Sequence, residues 1–420
     1  MRDLPIKSMI KKDKILYSLI LLFFATLFFS KTTSINIGVM AALVLYCFFY
    51  SSWSEKWQLL KQRKAIIFML VFFLYLLVSG LFSENTENTL HTLKIRLPLF
   101  FFPVSIGLIQ LRKSFKEQIL LHFAFITTFI GIVCLGFSVY QYSLYHRSDI
   151  FYNDNLTLVL KQQSIYVALL VNFAIFIFGR FLLFTNYRNK FWMGLATVFL
   201  FGISYLLASR INLAILAFVS LAACSYYIIS RKKIMEGFVL VLGLLMLAFA
   251  IYKFKPTSFN RFKELAFTQF NFENQGNDSH FNVKVEADQW NGANFRLAAW
   301  KCGWEVFKEH PILGTGIGNK DDALREKYTQ KNFHFALKHN RNVHSNYLDI
   351  LFSLGIIGFT LFLFGWLILP FLKAITDHDA LAVIIILTIA VAWITEVYFS
   401  RNFGTLIVSF FIPFLLTDKK

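Results

Sequence analysis

Two stretches of the chain hold residues whose types and spacing suit chemistry. In the first, Arg296, Trp300, Trp304 and Phe307 recur at three- and four-residue spacing. A helix capped by Asn294 and running to about Glu309 would carry all of them on one face, with the arginine at its head. Pro311 ends that helix, and Leu-Gly-Thr-Gly-Ile-Gly follows with Gly314, Gly316 and Gly318. No strand precedes these glycines, so a dinucleotide-binding turn fails on context. They read as a tight turn that packs backbone closely, or as amides turned toward an anion. His344 comes next, in Val-His-Ser-Asn-Tyr-Leu-Asp, where polar chain gives way to apolar chain. Its imidazole can take a proton at pH 7, although a lone histidine at a membrane surface also serves as a plain interfacial side chain. The second stretch is Leu-Ala-Ser-Arg-Ile-Asn, which sets Arg210 at a very tight turn between two apolar runs. That arginine either snorkels to headgroups or clamps a phosphate, whose oxygens match the planar guanidinium fork. Two such forks would neutralise a diphosphate leaving group.

The elements that must position these residues are membrane helices. Of the 420 residues 57% are hydrophobic and 16% charged, with a mean hydropathy of +0.57, against about 25% charged in soluble domains. Apolar runs approaching the roughly 20 residues that cross a bilayer recur between short polar connections. Spans are expected near 15–29, 35–50, 65–82, 97–109, 119–141, 163–184, 191–208, 211–229, 234–252, 347–370, 380–397 and 403–417. The fourth is short and holds Pro98 and Pro103, as a broken or re-entrant segment would. The first follows Lys7, Lys11, Lys12 and Lys14 but has no small-residue cleavage site behind it, so it reads as a retained helix. The expected fold is an all-α polytopic membrane protein of about 12 transmembrane helices with one large polar loop. About nine helices fall in an N-terminal bundle (1–252), a loop domain follows (253–345), and about three helices close the chain (346–420).

Basic residues orient it. With the N-terminus inside, the inner connections hold Lys56, Lys61, Arg63 and Lys64, then Arg112, Lys113 and Lys116, then Arg188 and Lys190, then Arg231, Lys232 and Lys233. The outer ones are poorer: Lys31, then Lys94 and Arg96, then Arg147 and Lys161, then Arg210. This bias sets both termini inside and the long loop outside. The loop's first part, Lys253 to Gly292, crowds Asn271, Asn274, Gly276, Asn277, Asp278 and Ser279 and reads as a flexible flap.

Several function classes drop out. The net charge of +18 and pI near 9.6 belong mainly to helix ends, where they meet anionic membrane lipid, and no nucleic-acid motif accompanies them. Cys47, Cys134, Cys224 and Cys302 lie far apart, forming neither a disulfide framework nor a CxxC metal site. No Walker, HExxH or GxSxG motif occurs, and no outer-side DxD that would hold a metal-bound nucleotide sugar, so direct use of nucleotide energy is not expected and no cofactor is assigned. Asp321-Asp322 sits at an expected helix start, where the helix dipole accounts for it. The abundant Phe reads as packing and lipid-facing side chains. A transporter would carry ionisable groups near the bilayer midplane in related halves, whereas Arg180, Glu236 and Glu396 fall near the ends of spans and no halves are evident.

Arg296-Leu-Ala-Ala-Trp300, His310-Pro311-Ile-Leu-Gly314-Thr-Gly316-Ile-Gly318 and His344-Ser-Asn-Tyr-Leu-Asp-Ile-Leu-Phe-Ser-Leu-Gly355-Ile-Ile-Gly358 together resemble the O-antigen ligase and polymerase superfamily. The Ser209-Arg210 turn and the span count extend the resemblance over most of the chain. It implies a metal- and nucleotide-independent glycosyltransferase of the membrane-embedded GT-C type in the bacterial inner membrane. Such enzymes move a glycan from undecaprenyl diphosphate to an acceptor hydroxyl at the periplasmic face, the lipid A core oligosaccharide for a ligase or another lipid-linked repeat for a polymerase. By the same resemblance Arg210 and Arg296 bind the diphosphate, and His344 is the general base or orients the donor. The family often has Asn directly after that histidine. Here Ser345 intervenes and Asn346 follows, which leaves the role of that amide open. Trp300 and Trp304 would stack on sugar faces or pack the loop helix onto the bundle.

Overall fold

A computed structural model describes residues 10–30, 33–185, 187, 190–231, 235, 242, 268–274 and 290–418. Most of the ninth expected span, Glu236, and 253–267 and 275–289 of the expected flap lie outside the described residues. The first ten helices are α1 (Lys11–Leu27), α2 (Thr33–Tyr50), α3 (Trp53–Gln62), α4 (Lys64–Leu81), α5 (Thr86–Arg96), α6 (Pro98–Ser105), α7 (Lys113–Tyr145), α8 (Ser164–Phe184), α9 (Lys190–Leu207) and α10 (Arg210–Arg231). The loop domain contributes α11 (Asn294–Glu309), α12 (Lys320–Gln330) and α13 (His334–Lys338), and the chain closes with α14 (Asn346–Leu363), α15 (Leu369–Thr376), α16 (Ala380–Thr395) and α17 (Asn402–Leu415). A π-helical stretch, Phe364–Ile368, joins α14 to α15. The protein is an all-α polytopic membrane protein.

Six described helices are long and apolar enough to cross a membrane: α4, α7, α8, α9, α10 and the composite Asn346–Thr376. Helices α2 and α3, bent by 98° at their junction, make at most a seventh. The proline-bearing fourth run is α6 plus a 3-10 turn, Ile106–Leu108, buried among its neighbours. Helices α16 and α17 are apolar but shorter than a full span.

The bundle is organised around α8 and α17, which are apolar on every side. All of Phe403 to Leu415 is buried, the pattern of a helix surrounded by other helices. Phenylalanines from four helices interlock there: Phe24 meets Phe123 and Phe410 edge-on at 5.0 and 5.1 Å, and Phe173 meets Phe411 at 5.2 Å. Each such pair contributes about 0.5–1.5 kcal/mol beyond its buried area. At one end of the bundle Lys116 bridges Asp379 and Asp418, and Arg180 bridges Glu117 and Asp379, tying α7 and α8 to the start of α16.

At the opposite end the loop domain has a small core of its own, in which Trp290, Phe295, Tyr328, Phe333 and Phe335 pack together. It docks through the glycine turn. Helix α14 breaks at Gly355, where φ is 63° and ψ −170°, and the chain from Pro311 to Gly316 lies along the break. Thr315 N–H donates to Phe352 O and Gly316 N–H to Ser353 O, both at 3.0 Å, while Ile356 N–H donates to Pro311 O at 2.9 Å. Ile317 and Gly318 N–H donate to Ser79 Oγ and Ser83 Oγ on the other side, at the end of α4. A Cβ on Gly314 would collide with the backbone of Ser353 and Leu354, and one on Gly355 with the carbonyl of Ile312.

Close packing of backbone is therefore what these glycines provide, and the amides that might have met an anion are spent on the protein. Gly314→Ala adds a Cβ at φ 75° against rigid backbone. The expected cost is about 2–5 kcal/mol, read as a lower Tm of the purified chain. Gly136→Ala, whose Cβ would meet nothing within 4 Å, should leave the Tm unchanged or higher. Equal Tm values for the two variants would contradict the docking described.

Candidate functional site

Arg210 is placed by a turn of only two residues between α9 and α10. Ala208 adopts φ 50°, and Asn212 fixes the turn by donating to Ser209 Oγ at 2.9 Å and to Ile165 O on α8 at 3.0 Å. Asn172, buried in α8, donates to Asn212 O at 2.8 Å. Asparagines 172 and 212 were not singled out in the sequence, since a polar residue within an apolar run gives no hint of its partner.

Arg296 lies in the first turn of α11. The expected cap, Asn294, is already inside the helix. The cap belongs to Asn291, whose Oδ1 accepts from Ala293 N–H at 2.8 Å and Asn294 N–H at 3.0 Å. Asn294 reciprocates by accepting from Asn291 N–H at 2.7 Å, a mutual arrangement that spacing alone does not reveal. Arg296 Nη1 then donates to Gly292 O at 2.6 Å and its Nε to Thr395 O at 3.2 Å. A Cβ built on Gly292 would lie 3.1 Å from Arg296 Nη1 and 3.5 Å from Arg210 Nη2. The two guanidinium groups thus converge on one glycine from opposite parts of the chain.

His344 enters from the far end of the loop domain, in the left-handed region at φ 47°. Asn342 stabilises that conformation by accepting from His344 N–H at 2.9 Å. The ring packs edge-on to Phe295, the neighbour of Arg296, at 5.5 Å. Its Nδ1 lies 3.2 Å from Glu396 Oε2 in the extended chain after α16. Glu396 was noted in the sequence only as an acid near the end of a span, because its partner is 52 residues away. Burial raises the Glu396 carboxyl, but the hydrogen bond and charge of His344, with the nearby Arg296, outweigh it and hold the group below its ordinary value of 4.5. The carboxylate orients the ring through Nδ1 and leaves Nε2 as the second ring nitrogen.

The segment 396–401 that carries Glu396 is held by buried polar bonds. Asn346 Oδ1 accepts from Phe399 N–H at 3.1 Å, which gives that amide a structural duty. Arg96 donates to Phe399 O and pairs with Asp349 at 3.0 Å, while Lys320 pairs with the same carboxylate at 2.7 Å and reaches Ser400 Oγ at 3.0 Å. Arg96 entered the sequence reading only as a basic residue of a short connection, and Lys320 not at all. Ser345 caps α14 through Leu348 N–H.

The aromatic face expected on α11 is not its packed face. Phe295, Ala298, Ala299, Cys302 and Val306 are buried, whereas Trp304 is 47% exposed and packs at a tilt against Phe307 at 5.1 Å. Trp300 is half-buried, and its indole N–H is enclosed without a hydrogen-bond partner. Among the described residues no three His, Cys, Asp or Glu side chains group closely enough to hold a metal ion.

Residues 195–363 match the model of the O-antigen ligase family, the superfamily to which the motifs pointed. The match runs from α9, through Arg210, the loop domain and His344, to the end of α14. No curated protein matches the chain.

The depressed carboxyl sets a pH signature. A group whose pKa is lower folded than unfolded adds stability above its unfolded value and loses it as the pH falls through the folded one. The Tm advantage of the wild-type chain over Glu396→Gln should therefore be present just above about pH 4.5 and close below it. A gap that persists unchanged into more acidic solution would show that the charge of Glu396 contributes nothing.

Proposed function

We propose that this chain is an O-antigen ligase-type glycosyltransferase that takes a glycan from undecaprenyl diphosphate and joins it to an acceptor hydroxyl, that of the lipid A core oligosaccharide. The observation that carries this reading is the convergence of Arg210 and Arg296 on Gly292 beside the His344–Glu396 pair. The family match supports glycan transfer in general terms, and the donor and acceptor are what the resemblance of the motifs implies.

The step balances without an outside energy source. The acceptor oxygen forms a bond to the anomeric carbon of the donor as its proton passes to His344 Nε2. The bond from that carbon to the phosphate oxygen breaks, and its electron pair leaves on the diphosphate, where the charge is met by Arg210 and Arg296. Glu396 stabilises the imidazolium that forms. This is the role the carboxylate takes in a histidine-centred triad. Positioning is supplied by two rigid parts, the α9–α10 turn and the docked loop domain. No step in this scheme calls on a metal ion or a nucleotide. In the proposed orientation both termini are cytoplasmic, and the site faces the periplasm of an inner-membrane protein.

In a strain lacking the chain, glycan ladders should vanish from lipid A core while long undecaprenyl-linked chains accumulate. A core bearing a single repeat unit would identify a polymerase instead, and unpolymerised units trapped inside would identify a flippase. Complementation with Arg210→Ala, Arg296→Ala or His344→Ala should fail while protein levels hold, each costing about 10²–10⁴-fold in transfer. Full activity of the His344 variant would remove the base from the scheme, and activity abolished by a chelator would contradict the absence of a metal.

A further inference from the structure

A cavity of about 280 Å³ opens at the same end of the bundle as the loop domain, where α1 ends and α8 and α17 begin. Its chemistry is uniform in sign. Lys161 and Arg401 line it, Gln163 and Asn402 add amide groups, Phe403 and Tyr166 give it apolar walls, and among the described residues no acidic side chain lines it. Among the described residues neither the Lys161 ammonium nor the Arg401 guanidinium has a hydrogen-bond or ion-pair partner. The N-terminus of α17 faces the same space with no side-chain cap, so its amides and dipole add to the positive potential. The first amide of α8, by contrast, is spent on the carboxylate of Asp154 at 2.7 Å.

The cavity is joined to the candidate site by a shared wall. Tyr166 packs edge-on to Tyr398 at 4.9 Å, and Tyr398 belongs to the segment 396–401 that has Glu396 at one end and Arg401 at the other. Ile165, next to Tyr166, accepts the hydrogen bond of Asn212 that fixes the Arg210 turn. Two cations with amides and aromatic walls are the set that binds a sugar carrying a negative group, the charge meeting the cations and the ring lying against the aromatics. The volume is just below the range of about 300–1,000 Å³ of ordinary ligand pockets, which suits one saccharide unit rather than a whole chain.

We propose that the cavity bounded by Lys161, Gln163, Tyr166, Arg401 and Asn402 is a subsite for a phosphate- or carboxylate-bearing sugar unit of one of the glycan substrates. It rests on the glycan-transfer reading only for the origin of that sugar, since the charge and shape of the cavity stand without it. The same chemistry would accept the phosphate of a membrane lipid, and the test separates the two sources.

The full chain is placed in phosphatidylcholine nanodiscs, and the binding of glucose 6-phosphate and of glucose is followed by saturation-transfer NMR. Glucose 6-phosphate should receive saturation from the protein and glucose should not. The double variant Arg401→Gln, Lys161→Gln should weaken the binding by about tenfold or more, while Arg401→Lys, which keeps the charge, and His344→Ala should retain it. No binding to the wild-type chain, equal binding of the uncharged sugar, or unchanged binding in the double variant at an unchanged Tm would each overturn the subsite. Loss of the signal on adding phosphatidylglycerol would overturn it in favour of a lipid headgroup. Because the readout is binding, a chain that transfers no glycan still reports on the cavity, and an active transferase that binds the probe independently of Arg401 and Lys161 removes the subsite alone.

Discussion

The break in α14 at Gly355 is the constraint on which the rest of the loop domain depends. A helix interrupted at membrane depth frees backbone groups that hydrocarbon cannot satisfy, each costing several kcal/mol. Here the freed groups are met by the backbone from Pro311 to Gly316, so the interruption serves as a socket. Because both partners are backbone, glycine is required on each side, at Gly314 and Gly355, and the fit tolerates no added methyl. Once seated, the turn fixes the end of α11 and the start of α12 against the bundle.

The segment 396–401 plays the corresponding part for the chemistry. It supplies the carboxylate that orients His344, the carbonyl and amide of Phe399 that bind Arg96 and Asn346, and the hydroxyl that receives Lys320. Asp349 beneath it is shared by two cations, with its side chain 2% exposed. Removing either partner from such a buried group is costly, about 3–5 kcal/mol. The candidate site is thus held by pairs that are far apart in the sequence, from 52 residues for His344 and Glu396 to 303 for Arg96 and Phe399.

The helical class was legible because hydropathy is a local property, and the tight turn at Arg210 because two apolar runs leave it no room. The glycines between Pro311 and Lys320 were legible as a turn, but their partner was not: Gly355 reads as one more small residue in an apolar helix until the loop is laid against it. Asn294 was misread as a cap because capping preference does not distinguish a residue that accepts from its neighbour three positions earlier. Glu396 and Arg96 were hidden for a stronger reason. A buried charge is explained only by its partner, and theirs are 52 and 253 residues away.

That last separation bears on how the chain is made. Arg96 precedes Asp349 by 253 residues, which at about 5–20 residues per second takes roughly 10–50 s to synthesise. For that interval the newborn bundle holds an arginine whose counter-ion does not yet exist. Its early helices cannot complete that buried pair until α14 arrives. A product truncated anywhere before Asp349 leaves that arginine without its carboxylate.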